Sequence, residues 1–162
     1  MTRIFNFNAG PAILPEEVLA EAGRELLDFQ GTGMSLIESS HRAKAYAAVH
    51  DEAVANYRKL LNCPDDYAVL FLPGGASMQF AMLPLNLLAA GQTADYINSG
   101  SWAAKAIKEA QRVGQVSVAA DTAKARPARL PAPAELKLTP GAAYVHLTSN
   151  ETIAGTQWQT FP

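Results

Sequence analysis

Two glycines, Gly74 and Gly75, stand in "LFLPGGAS" between an apolar run and a helical pattern. A backbone this bare at the start of a helix leaves the first amide N–H groups open, and Ser77 can add a hydroxyl. Such a helix N-terminus binds phosphate through its N–H groups and its dipole. The segment lacks both the Gly-Lys-Ser/Thr of a Walker loop and the glycine spacing of the dinucleotide fingerprint. On these residues alone, a packing turn is at least as good an interpretation as a phosphate site.

The composition is that of a folded and nearly neutral protein. Of the 162 residues, 49% are hydrophobic and 17% are charged, which suits a globular domain and not a disordered chain. The net charge of −2 gives no reason to expect nucleic acid or a membrane as a partner. The lone Cys63 excludes a disulfide within the chain. Because no apolar run could span a membrane and the first 17 residues lack a signal-peptide core, we expect a cytoplasmic protein.

Helical and extended patterns follow one another along the chain. Apolar residues at helical spacing predict helices over 14–29, 43–61, 77–88 and 101–113. Apolar runs bounded by turn residues predict strands over 67–72, 93–99, 115–120 and 142–150. The segment 122–140, rich in proline and alanine, is typical of a surface connection with room for one short helix.

The alternation of strands and helices predicts an α/β fold. Parallel strands joined through helices form a sheet whose faces the helices cover. We therefore expect an N-terminal helical segment, 1–62, followed by an α/β portion, 63–162, built on a mostly parallel sheet.

Five local patterns occur in an order and at separations that closely resemble the phosphoserine aminotransferase family of pyridoxal-phosphate enzymes. The resemblance covers essentially the whole chain. It implies part of the large domain of an aspartate-aminotransferase-type fold, truncated before the smaller C-terminal domain, and a homodimer in the full-length protein. The patterns are "FNFNAGPAILPEEVL", "GMSLIESSHR", "LFLPGGASMQFAMLPLNLL", "ADYINSGSWAAKAIKEA" and "YVHLTSNETIAGTQ".

By position, the resemblance implies a pyridoxal 5'-phosphate site. Ala76 and Ser77 would hold the cofactor phosphate at the start of a helix, and Trp102 would stack on the pyridine ring. Thr152 would line the cofactor with its hydroxyl. Without the resemblance, Trp102 would be interpreted as a core aromatic and "TSNET" as an ordinary turn.

The resemblance also implies substrate-binding residues near the N-terminus. Arg42 would bind a carboxylate or phosphate, because a guanidinium matches either group in bidentate fashion, and His41 would assist with phosphate. The commoner role of a lone His-Arg pair is a solvated charge at the start of a helix. Ala9 stands where the family often has a serine, so only its backbone N–H could serve the substrate.

The implied reaction exchanges the amino group between glutamate and 3-phosphohydroxypyruvate, giving phosphoserine and 2-oxoglutarate in serine and possibly vitamin B6 biosynthesis. In the family, the Schiff-base lysine and the acid at the pyridine nitrogen follow the "SNETI" region, so we expect no catalytic residue in this chain. The alternative is a non-catalytic binding or assembly module. None of the lysines lies in the setting of the family's Schiff-base lysine; they are Lys44, Lys59, Lys105, Lys108, Lys124 and Lys137.

Overall fold

The computed structural model describes residues 3–162, which form two compact units. The first unit ends at Phe71, and the second runs from Leu72 to Pro162. Within residues 3–162, no helix has the length and apolar character needed to cross a membrane.

The first unit contains helices α1 (Glu16–Glu25) and α2 (Lys44–Leu61), connected by a loop with a 3-10 turn. The helix predicted over 14–29 ends at Glu25, earlier than the apolar spacing indicates. The cause is a turn beyond it, in which Gln30 and Gly31 both have positive φ. There the amide of Phe29 donates to the carbonyl of Met34, which takes the chain out of the helical path.

Helix α2 confirms the second predicted helix almost to the residue. It begins at Lys44 and ends where Asn62 takes a left-handed conformation, whose amide donates back to the carbonyl of Arg58. Phe71 lies edge-on to both Tyr57 and His50 of this helix. The face of α2 that carries Tyr57 and His50 therefore packs against Phe71 within the first unit.

The strand predicted over 67–72 is wrong, because this segment is irregular. A strand exists only with a hydrogen-bonding neighbour, and no segment of residues 3–162 forms a ladder with it. The side chain of Leu70 is 69% exposed, so the apolar run is also not buried as its composition predicts. The apolar run shows that this segment could form a buried strand, but it does not provide the neighbouring strand to which the segment would have to hydrogen-bond.

The second unit confirms the predicted α/β fold. Its five main elements are α3 (Gly75–Leu87), β1 (Thr93–Asn98), α4 (Ser101–Gln111), β2 (Gln115–Asp121) and β3 (Val145–His146). The sheet order is β2-β1-β3, and β1 pairs in parallel with both neighbours. The connection between β2 and β3 carries one 3-10 turn, Pro133–Glu135, as predicted.

The core of the second unit lies between β1 and the two helices. Strand β1 is the centre of the sheet and is buried on both faces, as expected for a parallel strand. Helix α4 turns Ala103, Ala106 and Ala110 inward, and these small side chains let the helix lie close to the sheet. The buried carboxylate of Asp95 accepts hydrogen bonds from the Thr139 amide (2.6 Å) and hydroxyl (2.8 Å).

The strand predicted over 142–150 is divided between two sheets. Only Val145 and His146 pair with β1, while Asn150–Glu151 (β4) forms an antiparallel hairpin with Thr156–Gln157 (β5). Gly155, at positive φ, closes the hairpin by donating its amide to the Glu151 carbonyl (2.8 Å). The segment "TSNET" therefore contains the strand β4 and, at Thr152, the first residue of the hairpin turn.

His146 is a partly buried core residue, as its place in an apolar run predicts. Its ring stacks on Tyr96 with centroids 4.7 Å apart, and Phe80 of α3 lies edge-on to it. The side-chain Nδ1 is buried without a hydrogen-bond partner among the described residues, so packing and not hydrogen bonding holds this end of the ring. Burial lowers the pKa of His146 because the surroundings disfavour the charged ring.

We predict that His146 makes the protein less stable in mild acid. The unfolded ring takes up a proton as the pH falls through its usual pKa of 6.5, whereas the folded ring resists until a lower pH. The free energy of unfolding should therefore decrease below pH 6.5. Urea unfolding from pH 7.5 to 5 should show a shallower decrease for His146→Phe than for the wild type. The exposed His41→Gln is the control, and equal slopes for His146→Phe and wild type would contradict the prediction.

Candidate functional site

The N-terminus of α3 offers amide N–H groups without acceptors. Gly74 precedes the helix, and no side chain caps it. The first helical hydrogen bond is donated by Met78 to the Gly74 carbonyl (3.3 Å), so the amides of Gly75, Ala76 and Ser77 lie before it. Within the described residues these three amides have no acceptor, and all three residues are exposed. This arrangement suits an anion.

The backbone at Gly74 requires glycine for two independent reasons. Its φ of +88° is in the left-handed region, which side chains other than hydrogen disfavour. A Cβ placed there would also lie 2.6 Å from the Cβ of Met78, which is too close for any real contact. Gly75 shares the positive φ, at +57°, but a Cβ at this position would meet nothing within 4 Å.

The N-terminus of α4 is closed by a side chain of the same unit. The Glu151 carboxylate accepts hydrogen bonds from the amides of Trp102 (3.0 Å) and Ala103 (2.8 Å). Glu151 is 1% exposed, so this is a buried cap of the helix. Gly100 provides the space, because a Cβ there would lie 2.7 Å from the carboxylate. The second unit therefore holds one open and one closed helix N-terminus.

A hydrogen bond joins the two ring-binding residues predicted from the family resemblance. The indole Nε1 of Trp102 donates to the Thr152 hydroxyl oxygen at 2.8 Å. Because the oxygen is the acceptor, the hydroxyl hydrogen of Thr152 stays available for another partner. The ammonium of Lys105 lies over the indole, 4.1 Å from the ring centroid, and covers one face of it.

A cavity of about 290 Å³ lies between α3 and α4, beside the open start of α3. Ser77 and Phe80 line it from α3, and Lys105 lines it from α4. Lys105 therefore contributes both to this cavity and to the contact over the Trp102 ring. The remaining lining residues belong to α4 and carry two positive charges and one negative charge; they are Lys108, Glu109 and Arg112.

The substrate-binding residues predicted in the first unit are all exposed. His41 and Arg42 lie directly before α2, where the Arg42 amide donates to the Ser40 hydroxyl oxygen at 3.2 Å. Arg42 forms none of the ion pairs seen among residues 3–162, so its guanidinium is available to an anion. No hydrogen bond joins Ala9 to either residue in the described part of the chain.

Sequence analysis missed Glu151 and Gly100. Glu151 adjoins Thr152, but its acceptor role becomes visible only when α4, 48 residues earlier in the chain, lies against the hairpin. A glutamate in a polar turn carries no local signal that it is buried. The lysines lie on α2, on α4 or in the connection 122–140, as the sequence predicts.

The chain is similar along its whole length to known aminotransferases. The model of the aminotransferase class-V family matches residues 4–162. Curated phosphoserine aminotransferases of Halalkalibacterium halodurans and Desulfosudis oleivorans are 54% and 55% identical over 100% and 99% of this chain. These alignments cover 45% and 44% of the two relatives.

Solved structures give the same result. The phosphoserine aminotransferase from Bacillus circulans subsp. alkalophilus superimposes with a TM-score of 0.91 at 55% identity. The PLP-bound enzyme from Trichomonas vaginalis gives 0.91 at 39% identity. Each covers 99% of this chain, and this chain covers 44% and 45% of them.

The chain belongs to the aminotransferase class-V family, which confirms the resemblance found in its five motifs. Its α/β fold with a parallel sheet flanked by helices is that of a part of the phosphoserine aminotransferase structures to which it is similar. The chain spans about 45% of the length of the curated relatives that it matches.

We predict that Gly74→Ala destabilises the whole protein that carries this chain more than Gly75→Ala does. Both variants meet the cost of a left-handed alanine, roughly 1–2 kcal/mol. Only Gly74→Ala also pushes against Met78, which adds roughly 1–3 kcal/mol of overpacking. Urea unfolding of the two variants measures the difference directly. Equal losses of stability, or a greater loss for Gly75→Ala, would contradict the expected clash between residue 74 and Met78.

We predict that Thr152→Val lowers the free energy of unfolding by about 1 kcal/mol, because the Trp102 Nε1–H loses its acceptor. Thr152→Ser keeps the hydroxyl and should stay close to the wild type. Urea unfolding of both variants provides the comparison. A loss for Thr152→Ser that equals or exceeds the loss for Thr152→Val would contradict the prediction.

Proposed function

We propose that this chain supplies the phosphate- and ring-binding part of a pyridoxal-phosphate-dependent phosphoserine aminotransferase. The whole protein would transfer the amino group between glutamate and 3-phosphohydroxypyruvate, giving phosphoserine and 2-oxoglutarate. The family membership and the names of the relatives support this reaction. No feature of the described residues favours the alternative of a non-catalytic binding or assembly module.

The observation that carries the proposal is the contrast between the two helix N-termini of the second unit. A cofactor phosphate needs N–H donors that the protein does not already use. The amides of Ala76 and Ser77 are open, and the Ser77 hydroxyl is exposed beside them. The amides of Trp102 and Ala103 are taken by Glu151, so α4 cannot be the phosphate site. The residues therefore fit the phosphate group at α3 alone of these two helices.

The pyridine ring fits beside Trp102. The hydrogen bond to Thr152 restricts rotation of the indole ring, and Lys105 covers one face of this ring. A flat aromatic ring would stack on the other face, and the Thr152 hydroxyl hydrogen is not used by the bond to the indole. When bound, pyridoxal phosphate supplies the electron sink that transamination requires. The work of the residues described here is to bind and orient it.

Substrate anions would be bound by residues of the first unit. Arg42 is exposed, and the two parallel N–H groups of its guanidinium suit a carboxylate or a phosphate. His41 would assist with the substrate phosphate. Ala9 would contribute only its backbone N–H, because it has no hydroxyl. The resemblance also supports a homodimeric, cytoplasmic enzyme of serine biosynthesis, with a second role in vitamin B6 biosynthesis.

The test is amino transfer by the whole protein reconstituted with pyridoxal phosphate. With glutamate as donor, we expect phosphoserine from 3-phosphohydroxypyruvate and a much lower kcat/KM with hydroxypyruvate, which lacks the phosphate. Arg42→Lys should lower kcat/KM for the phosphorylated substrate roughly tenfold or more, because a charge-assisted bidentate contact is lost. Arg24→Lys, an exposed change on α1, is the matched control.

Two results would contradict the proposal. One is equal kcat/KM with both keto acids, which would mean that the phosphate is not recognised. The other is transfer from glutamate to oxaloacetate or pyruvate at a higher kcat/KM than to 3-phosphohydroxypyruvate, which would assign the protein to another aminotransferase of the class.

A further inference from the structure

We propose that Glu151 is the positioning residue of the cofactor site. Its carboxylate fixes Trp102 on α4, and its backbone fixes Thr152, the next residue along the chain. The inference rests on the function proposed above, because that function makes Trp102 and Thr152 cofactor-binding residues. The geometry from which it follows does not depend on a cofactor.

The carboxylate of Glu151 connects the hairpin to the start of α4. One oxygen accepts from the Trp102 amide (3.0 Å) and the other from the Ala103 amide (2.8 Å). Both bonds are to the backbone, so the first turn of α4 cannot rotate without breaking one of them. The direction in which the Trp102 side chain leaves the helix is fixed in this way.

Glu151 also fixes the position of Thr152, because the two residues are adjacent and the backbone of Glu151 is itself held in the hairpin. Glu151 pairs with Thr156 in the hairpin, and its carbonyl accepts the amide of Gly155. A buried side chain and a paired backbone together leave Thr152 little freedom of position. The Trp102–Thr152 hydrogen bond then closes a ring of contacts that has Glu151 at its base.

The burial of Glu151 indicates that its position is specific. It is 1% exposed and forms none of the ion pairs among residues 3–162, so two amides and the helix dipole compensate its charge. Gly100 leaves no excess space, since one added carbon would lie 2.7 Å from the carboxylate. A buried acid held this closely defines one arrangement of the hairpin on α4.

The first variant is Glu151→Gln, which keeps the shape of the side chain but puts an NH2 group against an amide N–H. Trp102 should then lose its fixed orientation. The control is Asp95→Asn, because Asp95 is 0% exposed and also accepts two hydrogen bonds, both from Thr139 in the connection between β2 and β3 and neither from α4. Both changes remove one buried acceptor, so they should destabilise the protein to a similar degree.

The second variant is Gly100→Ala, which keeps every hydrogen-bonding group. Gly100 has an extended backbone (φ 166°) that alanine also adopts. The effect of the substitution is therefore that the added methyl group pushes the Glu151 carboxylate away from the amides of α4. If Glu151→Gln does not fold, this variant decides the question.

The readout is 19F NMR of the whole protein labelled with 5-fluorotryptophan, without cofactor, with the Trp102 signal assigned by its loss in Trp102→Phe. We expect this signal to move or broaden in Glu151→Gln and Gly100→Ala and to stay in place in Asp95→Asn. The Kd for pyridoxal phosphate should rise roughly tenfold in the first two variants, as loss of a hydrogen bond to a charged group predicts, and stay unchanged in the third.

An unmoved Trp102 signal with unchanged cofactor affinity in the Glu151 and Gly100 variants would overturn the inference. So would an equal change in Asp95→Asn, since it would make the effect one of general stability. If the Trp102 signal moves as expected but the wild type does not bind pyridoxal phosphate, the positioning role of Glu151 stands and the proposed function fails.

Discussion

The site depends on one buried contact, the Glu151 carboxylate on the amides of Trp102 and Ala103. This contact caps α4, connects the hairpin to it and brings Thr152 to the indole nitrogen. Removing a carboxylate from water costs free energy unless hydrogen bonds replace the lost hydration, and here two amides and a helix dipole do so. The compensation is local, and it fixes the geometry of the site.

The same contact decides which helix start can bind an anion. Helices α3 and α4 both present free N–H groups toward their N-terminal ends, as every α-helix does. Glu151 accepts from two of those of α4, the amides of Trp102 and Ala103, while Gly74 leaves those of α3 without a side-chain cap. One acid and one glycine therefore distinguish a closed helix terminus from an open one, in two helices that pack against each other.

Local signals in the sequence predicted the elements well where the cause was local. Helix α2 and strands β1 and β2 lie where periodicity and turn residues put them. The strand over 67–72 failed because a strand needs a neighbour, which periodicity cannot identify. The hairpin and the Glu151 cap were missed because both depend on contacts between distant parts of the chain. The roles of Ser77, Trp102 and Thr152 came from the family resemblance, and the structure adds the Trp102–Thr152 hydrogen bond.

The most direct test is a crystal structure of the whole protein with pyridoxal phosphate bound. We predict phosphate oxygens within hydrogen-bond distance of the amides of Ala76 and Ser77, with the Glu151 carboxylate still on α4. A phosphate bound elsewhere, or one that displaces Glu151 from the amides of Trp102 and Ala103, would contradict the account.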